Sequence, residues 1–333
     1  MLENIEIKNF RAIEDLKIEN FKNVNFFFGR ANSAKTSVLE ALHLFLKEDT
    51  SAIQDISDSR FNLVDDDVIE GLFFDYNIAQ EIIISNNNKN LRIIKSDDKK
   101  TQIANGVIAD VKSVTYSLKI NDKELTNILF SIAKNQNIAE IQAQVIPNRK
   151  SQSAYIGLFK LNEHFYNNMK RVFQDNELEN KLNKYCNDFD GEITRISVID
   201  KAVYATILGH NKKINLKLMG QGFISYLSYI TEILIETRYI CIDEIENGLH
   251  FEHIDLILKI ILKLSIEHNI QFFITTHSKE LLERLAKIAD ENDDFKNKIA
   301  CFNLYKEESK IKYIEYNSEN FSWNIGNGNE IRD

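Results

Sequence analysis

The segment from Gly29 to Thr36 follows an apolar strand and opens a helix. It matches the phosphate-loop pattern G-x-x-x-x-G-K-[ST], except that Ala34 stands where the second glycine is usual. Backbone N–H groups of residues 30–36, at a helix N-terminus, can surround a β-phosphate. Lys35 would bridge the β- and γ-phosphates, and Thr36 would hold Mg²⁺. The predicted phosphate-binding residues are Gly29, Arg30, Ala31, Asn32, Ser33, Ala34, Lys35, Thr36 and Ser37.

Ala34 is the departure from this pattern. If the backbone at this position has a positive φ, as the usual glycine suggests, a methyl group costs about 1–2 kcal/mol. The sequence therefore predicts nucleotide binding that is weakened without being abolished, whether the alanine is natural or engineered. Taken alone, the loop has an alternative interpretation, which is an ordinary strand–loop–helix connection with a chance lysine.

Two further apolar strands end in side chains that could complete phosphate chemistry. Residues 239–242 run into Asp243, which would contact Mg²⁺, and Glu244, which would orient or deprotonate the attacking water. Residues 272–276 run into His277, which could reach the γ-phosphate. Neighbouring parallel strands would bring all three side chains to one edge beside the phosphate loop. A solvated acidic turn and a surface histidine are the alternatives.

These assignments give a predicted catalytic set and a predicted metal site. The predicted catalytic residues are Glu244, His277 and Lys35, and the predicted Mg²⁺ ligands are Thr36 and Asp243. Gly220 and Gly222 stand at a predicted helix start, where two glycines expose backbone N–H groups to an anion. A plain helix-capping turn is the alternative for this pair.

Hydrophobic periodicity predicts the strands and helices that position these residues. The predicted strands are 3–9, 16–18, 24–28, 81–85, 90–95, 114–120, 203–209, 213–218, 239–243, 271–275, 300–304 and 310–316. Helices are predicted over 35–47, 157–185, 223–237, 249–268 and 279–288, the last capped by Ser278. The tail from residue 317 is polar and is expected to fray.

The composition excludes several classes of protein. With 333 residues, 44% hydrophobic and 27% charged, the chain can bury a sizeable core. A net charge of −9 argues against a surface that coats nucleic acid, although a local basic patch stays possible. Three cysteines without a CxxC pair suit a reducing compartment. Neither a secretory signal nor an apolar run of about 18 residues is present, so we expect a cytoplasmic protein without a membrane partner.

In this order, the motifs resemble the ABC-type ATPase heads of the RecF/SMC group. The resemblance is closest to the ATPase domain of the overcoming-lysogenization-defect (OLD) family and its AAA15-like relatives. It rests on Ile5 to Arg11, Asn32 to Leu42, Met219 to Gly222, Asp243 to His250 and Thr275 to Ser278. It implies an α/β P-loop NTPase fold with a mixed N-terminal β lobe and a largely parallel sheet flanked by helices. Residues 1–333 would form one head, with an inserted segment over about 85–200 and a flexible tail over 318–333.

The resemblance also implies a mechanism. Two heads would enclose two ATP molecules with Mg²⁺, as a homodimer or a higher even-numbered assembly. The phosphate loop, Asp243, Glu244 and His277 of one head would face Gly220 and Gly222 of the other, and Arg11 would join the nucleotide site. Hydrolysis would then reset a clamp held together by ATP.

The chain also departs from the family. Met219 stands where transporter-like relatives carry a serine, and the glutamine of the Q-loop has no assigned position. We expect no Toprim nuclease domain after Tyr316, and the sequence predicts no long coiled coil. The leading hypothesis is an ATPase that gates a separately encoded nuclease or toxin in phage defence or DNA maintenance. The alternatives are a nucleotide-sensing scaffold with little turnover and a RecF-like DNA-binding repair clamp.

Overall fold

The fold was analysed in a computed structural model of the chain. The structure describes residues 1–49, 51–60, 69–96, 111–121, 123–133, 139–143, 153–157, 161, 163–200, 202–327 and 329–332. No helix among these residues is both long and apolar enough to cross a bilayer.

The strands alternate with helices in the second half of the chain and dominate the first half. Within the described residues the strands are β1 (Ile5–Phe10), β2 (Ile13–Ile18), β3 (Val24–Phe28), β4 (Ile82–Ser85), β5 (Asn90–Ser96), β6 (Val111–Ile120), β7 (Lys123–Ala133), β8 (Ala139–Ala143), β9 (Ser153–Ile156), β10 (Ile193–Ile199), β11 (Ala202–Ile207), β12 (Ile214–Asn215), β13 (Tyr239–Ile242), β14 (Gln271–Thr275), β15 (Ile299–Glu307) and β16 (Lys310–Tyr316). The helices are α1 (Lys35–Lys47), α2 (Ser51–Arg60), α3 (Glu163–Val172), α4 (Asn176–Phe189), α5 (Gln221–Leu234), α6 (Phe251–Glu267), α7 (Lys279–Glu291), α8 (Asp293–Lys296) and α9 (Ser318–Gly326).

A six-stranded sheet with the order β16-β15-β3-β14-β13-β9 carries the candidate site. Its five strands from β15 to β9 are parallel to their neighbours, and β16 pairs antiparallel with β15. Every residue of β3, β13 and β14 is buried, because both faces of this part of the sheet are covered. Continuous apolar runs of this kind are typical of central parallel strands.

A second, seven-stranded sheet forms the N-terminal lobe, with the order β2-β1-β4-β5-β6-β7-β8. All of its described pairings are antiparallel. Strands β10, β11 and β12 form a smaller sheet of their own. The predicted combination of a β lobe and a largely parallel sheet is therefore confirmed.

Helix α1 lies between the two large sheets. One core packs the apolar side chains of α1 against β1, β2, β4 and β5 and one face of the six-stranded sheet. The other core packs α3 to α7 and α9 against the opposite face. Because α1 is enclosed on both sides, the phosphate loop that precedes it has a fixed base.

Three of the predicted elements differ from the structure. The strand predicted over 213–218 is only β12, because Asn215 accepts from the backbone N–H of Lys217 and starts a short 3-10 helix, Leu216–Leu218. The helix predicted over 157–185 is two helices, since Asp175 accepts hydrogen bonds from the backbone N–H groups of Glu177 and Leu178 and starts α4. The tail expected to be flexible from residue 318 instead contains α9, which Asn317 caps and whose Phe321 is buried against the core. The Asn317 cap and the buried Phe321 together stabilise this helix, where the sequence predicted fraying.

The predicted insertion over about 85–200 lies partly outside the described residues. Its described parts do not form one unit: β5 to β8 extend the N-terminal sheet, whereas β9 is the edge strand of the six-stranded sheet. Only four residues long and preceded by polar sequence, β9 has no pattern that marks it as a core strand.

Candidate functional site

The phosphate loop, residues 29–36, connects β3 to α1 at the carboxyl end of the six-stranded sheet. Gly29 has a φ of 137°, and a Cβ atom there would lie 2.1 Å from the carbonyl oxygen of Leu304, so glycine is required. Ala34 has a φ of 66° and a ψ of 18°, which is the left-handed conformation in which a methyl group costs about 1–2 kcal/mol. The conformation that the sequence analysis assigned to this position is therefore the one observed.

Lys35 points back into the loop. Its Nζ donates to the carbonyl oxygens of Gly29 at 3.0 Å and Arg30 at 2.8 Å, and to Ser33 Oγ at 3.2 Å. Burial lowers the pKa of the Lys35 ammonium from 10.5 to about 8, although three nearby carboxylates act in the opposite direction. A cation at the centre of a loop of backbone groups is the arrangement that binds phosphate.

Thr36 lies against the end of β13. Its Oγ1 donates to Oδ1 of Asp243 at 3.2 Å, so the two predicted metal ligands are adjacent. Thr275 Oγ1 also donates to Asp243 Oδ1, at 2.6 Å, and Tyr155 Oη donates to Oδ2 at 3.4 Å. A hydroxyl and one carboxylate suit Mg²⁺, which usually takes one or two carboxylates plus substrate phosphates.

No cluster of three or more His, Cys, Asp or Glu that could hold a metal occurs among the described residues. The donors at Thr36 and Asp243 therefore fit a cation that is held jointly with a phosphate-bearing substrate. They would not make a closed protein cage for a structural metal.

Glu244 and His277 face each other across the ends of β13 and β14. His277 Nε2 lies 3.4 Å from Glu244 Oε1, and Asn247 Nδ2 donates to Glu244 Oε2 at 2.7 Å. Glu244 has a φ of 50°, and its N–H donates to Thr275 Oγ1 at 2.7 Å. These bonds hold a strained backbone in place. Together we call Asp243, Glu244, Thr275 and His277 the carboxylate edge.

The two predicted signature glycines occupy different environments. Gly220 is the N-cap of α5, and a Cβ atom there would meet nothing within 4 Å. A Cβ atom on Gly222 would lie 2.5 Å from the carbonyl oxygen of Gly248, in the turn that follows Glu244. Glycine is thus required at position 222, because the backbone of Gly248 in the same chain packs against it. The space around Gly220 is open.

Arg11 contacts α1, the helix that follows the phosphate loop. Its Nε donates to Glu40 Oε2 at 3.1 Å and its Nη1 donates to the carbonyl oxygen of Gly71 at 3.0 Å. The side chain of Glu40 is fully buried in α1, so Arg11 supplies the positive charge that this carboxylate needs. The structure therefore gives Arg11 a contact with the base of the loop helix.

The structure also brings in residues that the sequence analysis did not select. Thr275 and Tyr155 contact Asp243, Asn247 contacts Glu244, and Glu246 Oε1 accepts from the N–H of His277. Glu246 and Asn247 lie within three residues of Glu244, so their positions in the sequence could have indicated that they belong to the site. The role of Tyr155 depends on the pairing of β9 with β13, which no local pattern reveals.

A phosphate loop, a carboxylate edge and a largely parallel sheet give the chain the α/β fold of a P-loop NTPase, and this fold is similar to that of SMC heads. The solved head "SmcHead bound to the C-winged helix domain of ScpA" is similar in fold, with a TM-score of 0.52 and 12% identity, covering 95% of this chain and 97% of that one. The chain belongs to the AAA_21 family, whose model, described as "AAA domain, putative AbiEii toxin, Type IV TA system", matches residues 24–283.

Two curated relatives extend this comparison. An "ATP/GTP phosphatase" of Helicobacter pylori is 26% identical over 366 aligned residues, with 98% of each chain covered. A "DNA replication and repair protein RecF" of Lactococcus lactis is 50% identical over 42 residues, which are 13% of this chain and 12% of that protein. The chain is therefore an ATPase-type domain.

Proposed function

We propose that this protein is a Mg²⁺-dependent ATPase whose heads pair around ATP and gate a separate effector protein. One observation carries the ATPase part: Lys35, the Thr36–Asp243 pair and the Glu244–His277 pair meet at one end of the six-stranded sheet. These groups supply positive charge, metal ligands and a candidate general base for phosphoryl transfer.

The phosphate loop would bind the substrate by exchanging partners. Lys35 Nζ would give up the carbonyl oxygens of Gly29 and Arg30 for phosphate oxygens, where a charge-assisted bond is stronger. Thr36 and Asp243 would hold Mg²⁺, which neutralises the charge that develops on the phosphates. The left-handed Ala34 keeps the following N–H groups at the start of α1.

Glu244 would take the proton of the attacking water. Its Oε2 is held by Asn247 and its backbone by Thr275, so Oε1 is presented towards His277. His277 would keep that water in line and contact the γ-phosphate. Attack of water on the γ-phosphate depends on positioning and electrostatics, so this step requires a rigid carboxylate edge.

Pairing of heads is supported by the open surface at Gly220, where a second copy could present its helix start to the γ-phosphate. Gating of an effector, as in OLD-type ATPases, is supported by the family description, which names a toxin, and by the similar SMC head, which is bound to the C-winged helix domain of ScpA. Defence against phage is the biological setting that we propose for this gating.

The substitution Glu244→Gln tests the proposal. Loss of a general base typically lowers turnover by about 100-fold or more. The measurements are phosphate release with ATP and Mg²⁺, and the mass of the protein in solution with and without ATP. Glu252→Gln, at an exposed carboxylate in the first turn of α6, is the control.

We expect Glu244→Gln to bind ATP, release little phosphate and accumulate as a dimer. Phosphate release equal to that of the control would remove Glu244 from the mechanism. A wild-type protein that binds ATP without any release would instead favour the nucleotide-sensing scaffold.

A RecF-type DNA clamp is a second candidate, which the local identity to the Lactococcus lactis protein favours. It predicts duplex binding that requires ATP and weakens steeply as salt increases. Binding that is absent at about 50 mM salt would exclude it.

A further inference from the structure

The segment 329–332 packs beside residues 276–278, which we call the switch loop. Ile331 is 5% exposed and belongs to the core that contains the helix after the switch loop, α7. The N–H of Asn329 donates to the carbonyl oxygen of Asn324 at 3.1 Å, which ties the segment to α9. The segment is therefore anchored on both sides of residue 330.

Arg332 bridges this segment and the switch loop. Its Nε and Nη2 donate to the two carboxylate oxygens of Glu330, at 2.7 and 2.8 Å. Its Nη1 donates to the carbonyl oxygen of His277 at 3.1 Å. A bidentate pair fixes the plane of a guanidinium, so Glu330 aims Nη1 of Arg332 at the switch loop.

His277 is consequently held at three points by two parts of the chain, the turn after β13 and the segment 329–332. Its N–H donates to Glu246 Oε1 at 2.5 Å, its carbonyl oxygen accepts from Arg332, and its ring faces Glu244. The next residue, Ser278, caps α7 by accepting from the N–H of Leu281. Without Arg332, the peptide between residues 277 and 278 would lose this hydrogen bond to the segment 329–332.

We propose that Arg332 is a positioning residue for ATP hydrolysis, because it fixes the His277 carbonyl and thereby the direction of the His277 ring. The inference rests on the proposed function of the carboxylate edge. Arg332 itself touches no substrate: it acts through His277. A hydrogen bond that positions His277 can affect the rate of hydrolysis, whereas an ordinary exposed ion pair contributes little to stability.

Arg332→Ala tests this role, and Arg284→Ala is its matched control. Arg284 lies on α7, is 28% exposed against 30% for Arg332, and is paired with Asp255 and Glu280, which lie outside residues 276–278. We expect kcat of Arg332→Ala to fall about fivefold, the factor that corresponds to one hydrogen bond of typical net strength. KM for ATP should stay within about twofold, since ground-state binding is unchanged.

Arg332→Lys supplies a rescue test. Lysine keeps the charge but has no planar fork, so it can reach either Glu330 or the His277 carbonyl with less fixed geometry. We expect a kcat between those of the wild type and Arg332→Ala. Equal losses of kcat in Arg332→Ala and Arg284→Ala would show a general surface effect and overturn the inference.

Hydrogen exchange gives a readout that is independent of turnover. In the protein without nucleotide, the backbone amides of residues 277 and 278, followed by NMR, should exchange faster in Arg332→Ala than in Arg284→Ala. Unchanged exchange, or faster exchange with an unchanged kcat, would overturn the positioning role. If the wild type hydrolyses no ATP, the proposed function fails, whereas the exchange measurement still decides whether Arg332 orders the switch loop.

Discussion

The phosphate loop and the carboxylate edge lie at the same end of one sheet but are prepared for a ligand in different ways. In the loop, Lys35 binds the loop's own carbonyl oxygens, and Ala34 holds a conformation that glycine adopts more easily. At the carboxylate edge, Asp243 and Glu244 are already held by Thr275 and by neighbours on other elements. The rate of ATP hydrolysis should therefore depend on the carboxylate edge, whose side chains are already held in place. The affinity for ATP should depend on how easily Lys35 exchanges its hydrogen bonds within the loop for bonds to phosphate.

Among substitutions that test this comparison, Thr275→Val should have the largest effect, because it removes the hydrogen bonds that support the carboxylate edge. Valine can neither accept the N–H of Glu244 nor donate to Asp243. We expect the free energy of unfolding to fall by about 2 kcal/mol and kcat to fall at least about tenfold. Denaturant unfolding and phosphate release measure the two effects.

The control is Thr237→Val, at a buried threonine that donates to Glu232 Oε2 at 2.8 Å outside the site. It should lose a comparable amount of stability and keep its kcat. If both variants lost the same fraction of turnover, rigidity of the edge would not be the cause.

Gly222→Ala should have the next largest effect, because its new methyl group pushes against the turn that follows Glu244. The new Cβ atom would lie 2.5 Å from the Gly248 carbonyl oxygen, and overpacking of this kind typically costs about 1–3 kcal/mol. Gly220→Ala, with open space around it, should cost less than about 1 kcal/mol. Thermal unfolding distinguishes them, and equal shifts would refute the contact with Gly248.

The titration of Lys35 should make both ATP affinity and stability depend on pH. Its pKa of about 8 means that raising the pH from about 7 to about 9 removes the charge that binds phosphate, so the Kd for ATP should rise by up to about tenfold. Stability moves in the opposite direction. Between about pH 8 and 10.5 the unfolded state still binds the proton that the folded state has released, so the free energy of unfolding rises with pH.

Lys35→Arg is the control for both measurements, because arginine stays charged throughout this range. Calorimetric titration with ATP at several pH values gives the Kd, and denaturant unfolding gives the stability. An equal decline of affinity in both proteins would assign the pH dependence to other groups.

Much of this architecture was predictable because its signals are local. The bounds of α1 and the cap at Ser278 follow from patterns within a few residues, and the carboxyl ends of buried parallel strands must share an edge. The break at Asp175 was also readable, since it is a favourable N-cap. The contacts of Thr275 and Arg332 were not readable, because they join residues 32 and 55 positions apart in the sequence.

Ala34→Gly should have the smallest effect and the opposite sign. Relief of the left-handed alanine is worth about 1–2 kcal/mol, and the greater freedom of glycine in the unfolded chain offsets about 0.5–1 kcal/mol of it. We expect a net gain of about 0.5–1 kcal/mol in denaturant unfolding, with ATP bound at least as tightly as by the wild type. Ala41→Gly makes the same chemical change in the interior of α1, where it should cost about 1 kcal/mol. Losses of similar size in both variants would mean that Ala34 is not strained and that the loop is as well prepared as the edge.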